Sequence, residues 1–249
     1  MDLQRKLDKT GWAKEGLIGL LFPRRCPVCG EIVVPKGDLI CPGCVKKLSF
    51  VKGPVCMRCG KELIQRDGEY CYDCMRHRRS FEQGAALLNY NEAAAASMAQ
   101  IKYKNKREYL DFYSREMACR LGKKLARMGA DAFVPVPVHP SRRRTRGFDQ
   151  AAELADRLSA RTGIPVLKGA LVRSKKTAPQ KALTPEQRLK NLEQAFSVIG
   201  EKLWRGMDTV VLVDDIYTTG STIEACSRAL KRAGIKTVYF VSICIGGDR

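Results

Sequence analysis

Val210-Val211-Leu212-Val213-Asp214-Asp215-Ile216-Tyr217-Thr218-Thr219-Gly220-Ser221-Thr222 opens with four apolar, mostly β-branched residues and no polar alternation. Such a run describes a strand buried on both faces, as at the centre of a parallel sheet. Asp214 and Asp215 then emerge at its C-terminal end. Open α/β sheets bind ligands there, and two carboxylates accept hydrogen bonds from vicinal hydroxyls such as those of a ribose. The loop that follows suits a phosphate: Thr218, Thr219, Ser221 and Thr222 supply hydroxyls, Gly220 lets the backbone curl, and successive N–H groups form an anion nest. Ser221 with Glu224 three residues on reads as a capping box, so a helix is expected to start here and to add its partial positive charge to phosphate binding.

Sugar hydroxyls on the aspartates beside a phosphate in the loop describe a ribose 5-phosphate. The thirteen residues resemble the phosphoribosyl pyrophosphate (PRPP) motif of type I phosphoribosyltransferases: four hydrophobics, two acids and a Thr-Thr-Gly-Ser-Thr loop. An ordinary strand, turn and capped helix accounts for the hydrophobics and the cap, but not for an acid pair followed by four hydroxyls. The resemblance implies that Asp214, Asp215, Thr218, Thr219, Gly220, Ser221 and Thr222 bind PRPP, with Mg2+ bridging ligand oxygens and keeping several waters.

With 249 residues, 45% of them hydrophobic, the chain suffices for one good core and a small annex. No apolar run approaches the length of a membrane span and no secretory signal is visible, so a cytoplasmic protein is expected. The formal net charge is +19. Two zinc ions held by four thiolates each would contribute −2 per site and lower it only to +15. Between Ser141 and Lys190 there are 13 Lys or Arg against 4 Asp or Glu, so the excess is concentrated and implies a polyanionic partner.

Four Cys-x2-Cys knuckles, Cys26/Cys29, Cys41/Cys44, Cys56/Cys59 and Cys71/Cys74, follow one another with eleven residues between successive pairs. This is a duplicated unit. Each knuckle places two sulfurs on one ion and two knuckles complete a tetrahedral site, which makes structural zinc the natural reading. Disulfides would suit a secreted chain. Sequential pairing puts Cys26, Cys29, Cys41 and Cys44 on one ion and Cys56, Cys59, Cys71 and Cys74 on the other; spacing alone leaves interleaved pairing open. A module this small has little core of its own, so its folding is expected to depend on metal. The remaining thiols, Cys119, Cys226 and Cys244, read as small buried hydrophobes, and His77 as an exposed residue just past the last knuckle.

Residues 1–22 form a basic, patchy helix candidate with Arg5, Lys6, Lys9 and Lys14, suited to packing on the next module or to a membrane surface. The composition changes at Phe81, which divides the chain into residues 1–80, an N-terminal helix with a double zinc ribbon, and residues 81–249, an α/β domain. Strands are expected over 84–90, 132–138, 164–172 and 237–245, and helices over 93–104 and 111–127. Between residues 132–138 and an amphipathic helix carrying Phe148, Ala151, Ala152, Ala155 and Leu158 lies a loop, 139–148, with four arginines. In phosphoribosyltransferases the corresponding loop holds the pyrophosphate of PRPP, which points to His139, Arg142 and Arg146. The polar segment 173–194 sits where that family carries a lid over PRPP, and Thr177, Gln180 and Arg188 are its candidate contacts.

Taken end to end, the sequence resembles the ComF (ComFC, GntX-like) family, a double zinc ribbon joined to a type I phosphoribosyltransferase-like domain, an open parallel sheet flanked by helices. The supports are the four knuckles, Pro135-Val136-Pro137, Arg142, Arg146-Gly147-Phe148-Asp149-Gln150, Thr177 with Pro179-Gln180, Arg188 with Asn191, and the PRPP motif; Asp149 stands where Asn is expected. The resemblance implies a role in natural competence: handling incoming single-stranded DNA at the cytoplasmic side of the membrane, peripherally associated with it, with a competence helicase and a DNA-processing protein as partners. No particular reaction comes with it. Lys102, Lys104, Lys106, Arg107, Arg142, Arg143 and Arg144 are the expected DNA contacts, and Tyr103, Tyr109 and Phe148 lie among them as candidates for base stacking, although Phe148 also begins an apolar stripe. The competing reading is a metabolic phosphoribosyltransferase that transfers phosphoribosyl from PRPP to a base or amine. The sequence supplies no recognisable base-binding hood for it, and no room for the glutaminase domain of an amidotransferase.

Overall fold

The computed structural model describes residues 23–64, 67–173, 195–200 and 204–247. The helix candidate of residues 1–22 and the lid residues Thr177, Gln180 and Arg188 lie outside them. The chain divides into two compact units, Met1–Lys47 and Leu48–Arg249. That division falls between the two ribbons, whereas the change of composition at Phe81 marks the start of the sheet.

Duplication is visible in the backbone. In the first unit, Cys26 N–H donates to Glu31 C=O (2.7 Å) and Gly30 N–H to Cys26 C=O (2.9 Å), closing a knuckle around Gly30. A short helix α1, Pro42–Val45, then starts on Cys41 and carries Cys44. In the second unit Cys56 N–H donates to Lys61 C=O (2.7 Å) and Gly60 N–H to Cys56 C=O (2.9 Å), and helix α2, Tyr72–Arg76, starts on Cys71 and carries Cys74.

The larger unit continues with β1, Gly84–Asn89; α3, Glu92–Lys104; a 3-10 turn, Arg107–Tyr109; α4, Leu110–Met128; β2, Ala132–Pro135; α5, Pro140–Arg146; α6, Gln150–Thr162; β3, Leu171–Arg173; β4, Phe196–Val198; β5, Thr209–Tyr217; α7, Ser221–Arg232; and β6, Thr237–Ile245. Four strands form a parallel sheet in the order β1-β6-β5-β2. Val210 to Val213 are fully buried in its interior, as an unalternating run requires. Beyond β2 the expected strand over 164–172 is reduced to a parallel bridge of Val166 with Phe133, after which β3 turns away to pair antiparallel with β4. Residues 49–51 cover the other edge: Val51 N–H donates to Leu87 C=O (3.0 Å) and Asn89 N–H to Ser49 C=O (2.7 Å).

The residues 139–148 do not form an open loop. Pro140 at the first helical turn, with its fixed φ, and His139 as N-cap start α5, and Gly147 at φ 76 ends it, so the arginines ride on two turns of helix. Cys226 and Cys244 are buried, but Cys119 is exposed, on the solvent side of α4. Among the described residues no helix is long and apolar enough to cross a membrane.

The second ribbon shares one apolar core with the sheet, Cys56, Cys59, Cys71 and Phe81 packing with Phe240, Tyr217 and Leu212. Its knuckle is laced to the start of β1: Arg58 Nη1 donates to the carbonyls of Phe81 and Glu82 (3.1 Å each), and Gly84 N–H to Arg58 C=O (2.8 Å). A Cβ on Gly84 would overlap the edge of the Phe240 ring. Gly84→Ala is therefore expected to destabilise the larger unit by at least about 1–3 kcal/mol through overpacking, read as a lower urea midpoint at unchanged m-value.

Candidate functional site

Cys26, Cys29, Cys41 and Cys44 gather into one group and Cys56, Cys59, Cys71 and Cys74 into another, the sulfurs of each group lying within 4.8 Å of one another. Pairing is thus sequential. A tetrahedron with Zn–S near 2.3 Å has sulfur-to-sulfur edges of about 3.8 Å, and Cys29 Sγ to Cys41 Sγ is 3.9 Å while Cys59 Sγ to Cys71 Sγ is 3.5 Å. Both groups fit a zinc ion, and those separations are too long for disulfides. Around the second group stand cations: Lys61, 3% exposed, pairs with Asp73 at 2.7 Å beside Cys59 and Cys71. Burial opposes the Lys61 charge, but Asp73 and those sulfurs outweigh it and raise its pKa. Lys124 reaches in from α4, donating to Gly84 C=O at 3.0 Å; burial and Arg127 lower its pKa.

The acid pair lies inside the end of β5 rather than beyond it. Asp215, 7% exposed, is held by Lys102 Nζ at 2.8 Å and by Gln150 Nε2 at 3.1 Å. Asp214 is partly buried and accepts from Asp215 N–H at 2.8 Å. Desolvation first, and the neighbouring Asp215 second, raise the Asp214 pKa well above the carboxylate range. Gln150 Oε1 is buried without a hydrogen-bond partner among the described residues, which leaves an unused acceptor beside the acid pair, as a hydroxylated ligand needs.

After Tyr217 the chain turns over its own side chain. The Tyr217 ring stacks on Phe240 (4.6 Å, 8°) and meets Phe81 edge-on (6.3 Å), and Gly220 sits so close above it, at φ 80, that a Cβ would overlap the phenol. Only glycine fits this turn. Thr218 and Thr219 are exposed, Ser221 and Thr222 half-exposed, and Thr219 Oγ1 lies 3.0 Å from Ser221 Oγ. Hydroxyls and the first turn of α7 therefore face solvent together, the arrangement an anion uses. The expected capping box is absent: Gly220 is the N-cap, with no side-chain bond. Glu224 is instead drawn inward, 1% exposed, and accepts from Ser80 N–H (2.8 Å), Ser80 Oγ (2.7 Å) and Arg228 Nε (2.7 Å).

Of the basic residues, Arg142, Arg143 and Arg144 are exposed on α5, and Arg142 lies near enough to Arg173 to depress its pKa further after burial has lowered it. His139 acts as a cap, its Nδ1 2.7 Å from Ser141 Oγ and accepting from Ser141 N–H at 3.2 Å. Arg107 is a brace: it donates to Gly147 C=O (3.1 Å) and Asn105 Oδ1 (2.7 Å) and covers the Phe148 ring at 4.5 Å. Phe148 and Tyr109 are buried, whereas Tyr103 is 71% exposed, with the Arg146 guanidinium 5.5 Å from its ring centre. Lys104 is exposed and Lys106 lies 3.7 Å from Glu108. Gln150 and the Lys102 pairing were missed in the sequence. A glutamine on the face of α6 that also buries Ala151, Leu154 and Leu158 was the available signal.

Residues 17–75 match the model of the double zinc ribbon domain and residues 144–249 that of the phosphoribosyl transferase domain. Competence protein F of Haemophilus influenzae is 31% identical over 221 residues, which cover 87% of this chain and 95% of that protein. The chain belongs to the ComF family. Competence protein ComFC of Bacillus subtilis is 25% identical over 201 residues, 79% of this chain and 80% of the relative. DNA utilization protein YhgH of Escherichia coli K12 is 26% identical over 228 residues, 90% and 98% respectively.

Within this ComF chain the two zinc centres differ in access. Cys29 is exposed and Cys41 half-buried, whereas Cys56, Cys59 and Cys71 are fully buried. Elemental analysis is expected to give two zinc ions per chain, and a colorimetric chelator to withdraw them in two phases, the faster one abolished by Cys29→Ser. A single phase would contradict this difference in burial.

Asp149 caps α6, its Oδ1 accepting from Ala151 N–H (3.1 Å) and Ala152 N–H (3.2 Å), with a long 3.5 Å contact from Val138 N–H to Oδ2. Burial raises its pKa above 3.8 despite those donors and Arg143. A carboxyl with a raised folded-state pKa costs nothing below its unfolded pKa and destabilises as pH rises through the folded value. Asp149→Asn keeps the Oδ1 caps without the charge. It is expected to raise the melting temperature at pH 7, with the gain shrinking as pH falls and gone below the unfolded value of 3.8.

Proposed function

We propose that this protein handles incoming single-stranded DNA during natural transformation, on the cytoplasmic side of the membrane, and that the same unit binds PRPP with Mg2+ at the end of β5. The observation that carries the reading is the adjacency of two anion-seeking surfaces. The exposed Arg142, Arg143 and Arg144 lie on α5, joined through Gly147 and Asp149 to the helix whose Gln150 reaches Asp215. Exposed Tyr103, backed by Arg146, supplies a face on which a base stacks. Relatives whose names refer to competence and to DNA utilization support the biological setting.

The acid pair would accept the ribose hydroxyls, the Thr218–Thr222 loop the 5-phosphate, and Arg142 with Arg146 the pyrophosphate, where planar guanidinium groups match the oxygens. Mg2+ would neutralise charge on the ligand. A competence helicase and a DNA-processing protein are the partners this role calls for, and the basic segment 1–22 would favour a peripheral place on the inner face of the membrane.

Calorimetry with PRPP and Mg2+ is expected to show binding that Asp215→Asn weakens by about 1–3 kcal/mol. Fluorescence anisotropy with labelled single strands should show affinity falling steeply with salt. Changing Lys104 and Arg142 to Arg144 to Ala should flatten the dependence of log K on log salt by about 0.7 for each phosphate that the variant no longer neutralises, and PRPP should compete. DNA affinity no greater than that of an unrelated protein of similar charge, together with pyrophosphate release from PRPP in the presence of a base, would replace this reading by that of a metabolic phosphoribosyltransferase.

A further inference from the structure

The link between the second ribbon and the sheet is only a few residues long, and two of them reach the phosphate loop and the helix that follows it. Arg79 Nη2 donates to Thr219 C=O at 3.0 Å. Arg79 follows Cys74, a ligand in the second zinc group, by five residues, and Phe81 two residues on packs in one core with Cys56, Cys59 and Cys71. Between Arg79 and Phe81, Ser80 donates twice to Glu224 in the first turn of α7. Arg79 and Ser80 lie between Cys74 and Phe81, the ring that abuts Tyr217 beneath the loop. The stretch from Cys74 to Phe81 thus ties the second zinc group to the loop backbone and to the helix that follows.

The direction of the Arg79 bond matters. In a trans peptide the C=O and the next N–H point opposite ways. With Thr219 C=O turned toward Arg79, the N–H of Gly220 is turned away from the ribbon. Gly220 carries no Cβ and so does not by itself hold this peptide in one orientation; the bond from Arg79 does. Arg79 Nε is buried without a partner among the described residues, while its Nη2 reaches the exposed Thr219 carbonyl.

We propose that Arg79 is a positioning residue for the phosphate loop: carried on the short link between the second zinc group and Phe81, it fixes the peptide between Thr219 and Gly220, and the state of that zinc site thereby sets the loop's affinity for a sugar 5-phosphate. The ligand clause rests on the phosphoribosyl reading above; the loop clause does not.

The test uses the full chain with zinc content measured for every sample. Hydrogen exchange is followed on peptides covering 218–224, with 132–135 in β2 as internal reference, in wild type, Arg79→Ala and Arg79→Lys, and in wild type after chelation of one and then both zinc ions. Losing the accessible zinc should leave exchange at 218–224 unchanged. Losing the second, or Arg79→Ala with two zinc ions still bound, should speed it about tenfold, the loss of one charge-assisted hydrogen bond, while 132–135 stays protected. Arg79→Lys should fall between, and decides the matter if the Ala variant does not fold. In calorimetry the Ala variant should bind ribose 5-phosphate about tenfold more weakly and inorganic pyrophosphate unchanged. Unaltered exchange at 218–224, or equal acceleration at 132–135, overturns the positioning role. Absence of ribose 5-phosphate binding by wild type overturns the phosphoribosyl reading instead and leaves the exchange result to judge the loop.

Discussion

Two carboxylates on adjacent residues at the end of a buried strand are the costliest feature of this molecule, and much of the larger unit is arranged around them. Unpaired charge in such a position is worth several kcal/mol of destabilisation. Asp215 is compensated by a cation from α3 and an amide from α6, while burial and Asp215 raise the pKa of Asp214 and so disfavour its charged form. The end of α3 and the start of α6 must therefore meet over β5. Arg107, braced between Asn105 and Gly147 and lying on Phe148, ties the chain just after α3 to the turn that begins α6.

Placing the second ribbon in the larger unit follows from size. A module this short buries little apolar surface of its own, and the second ribbon adds to it by lending Cys56, Cys59, Cys71 and Phe81 to the core of the sheet. A tetrathiolate zinc site still carries net negative charge when loaded, and Lys61, Lys124 and Arg79 are drawn around it for that reason.

What the sequence disclosed was local and periodic. The unalternating hydrophobics of β5, the knuckles and the strand over 237–245 depend on spacing alone and are found where spacing puts them. What escaped was set by tertiary contact. Glu224 looks like the partner of a capping serine, but Ser80, far away in the chain, offers two donors against one, and the turn is fixed by the Tyr217 ring rather than by a cap. Cys119 sits in a helix whose apolar face excludes it. The arginine-rich stretch reads as a loop because arginine runs are usually solvated, yet a proline at its first turn and a glycine at its end are helix signals that outweigh composition. Asp149 in place of Asn keeps its cap and gives up comfort in burial, a difference that only the surrounding desolvation reveals.

Lys102 shows how far charge counting carries and where it stops. By sequence it belongs to a basic cluster with Lys104, Lys106 and Arg107, all equally eligible to meet phosphate. In space its ammonium lies against Asp215 with its side chain 17% exposed, so that removing it strands a carboxylate and costs roughly 3–5 kcal/mol by the experience of buried pairs broken on one side. A ligand carrying hydroxyls and a divalent cation to the acid pair would supply new partners for Asp215 and so weaken the hold on Lys102. Lys102 would then be released toward the neighbouring surface that carries Tyr103 and Lys104. On the proposed reading the two anion surfaces would be coupled through this one side chain, and a phosphoribosyl ligand would alter the charge available to DNA.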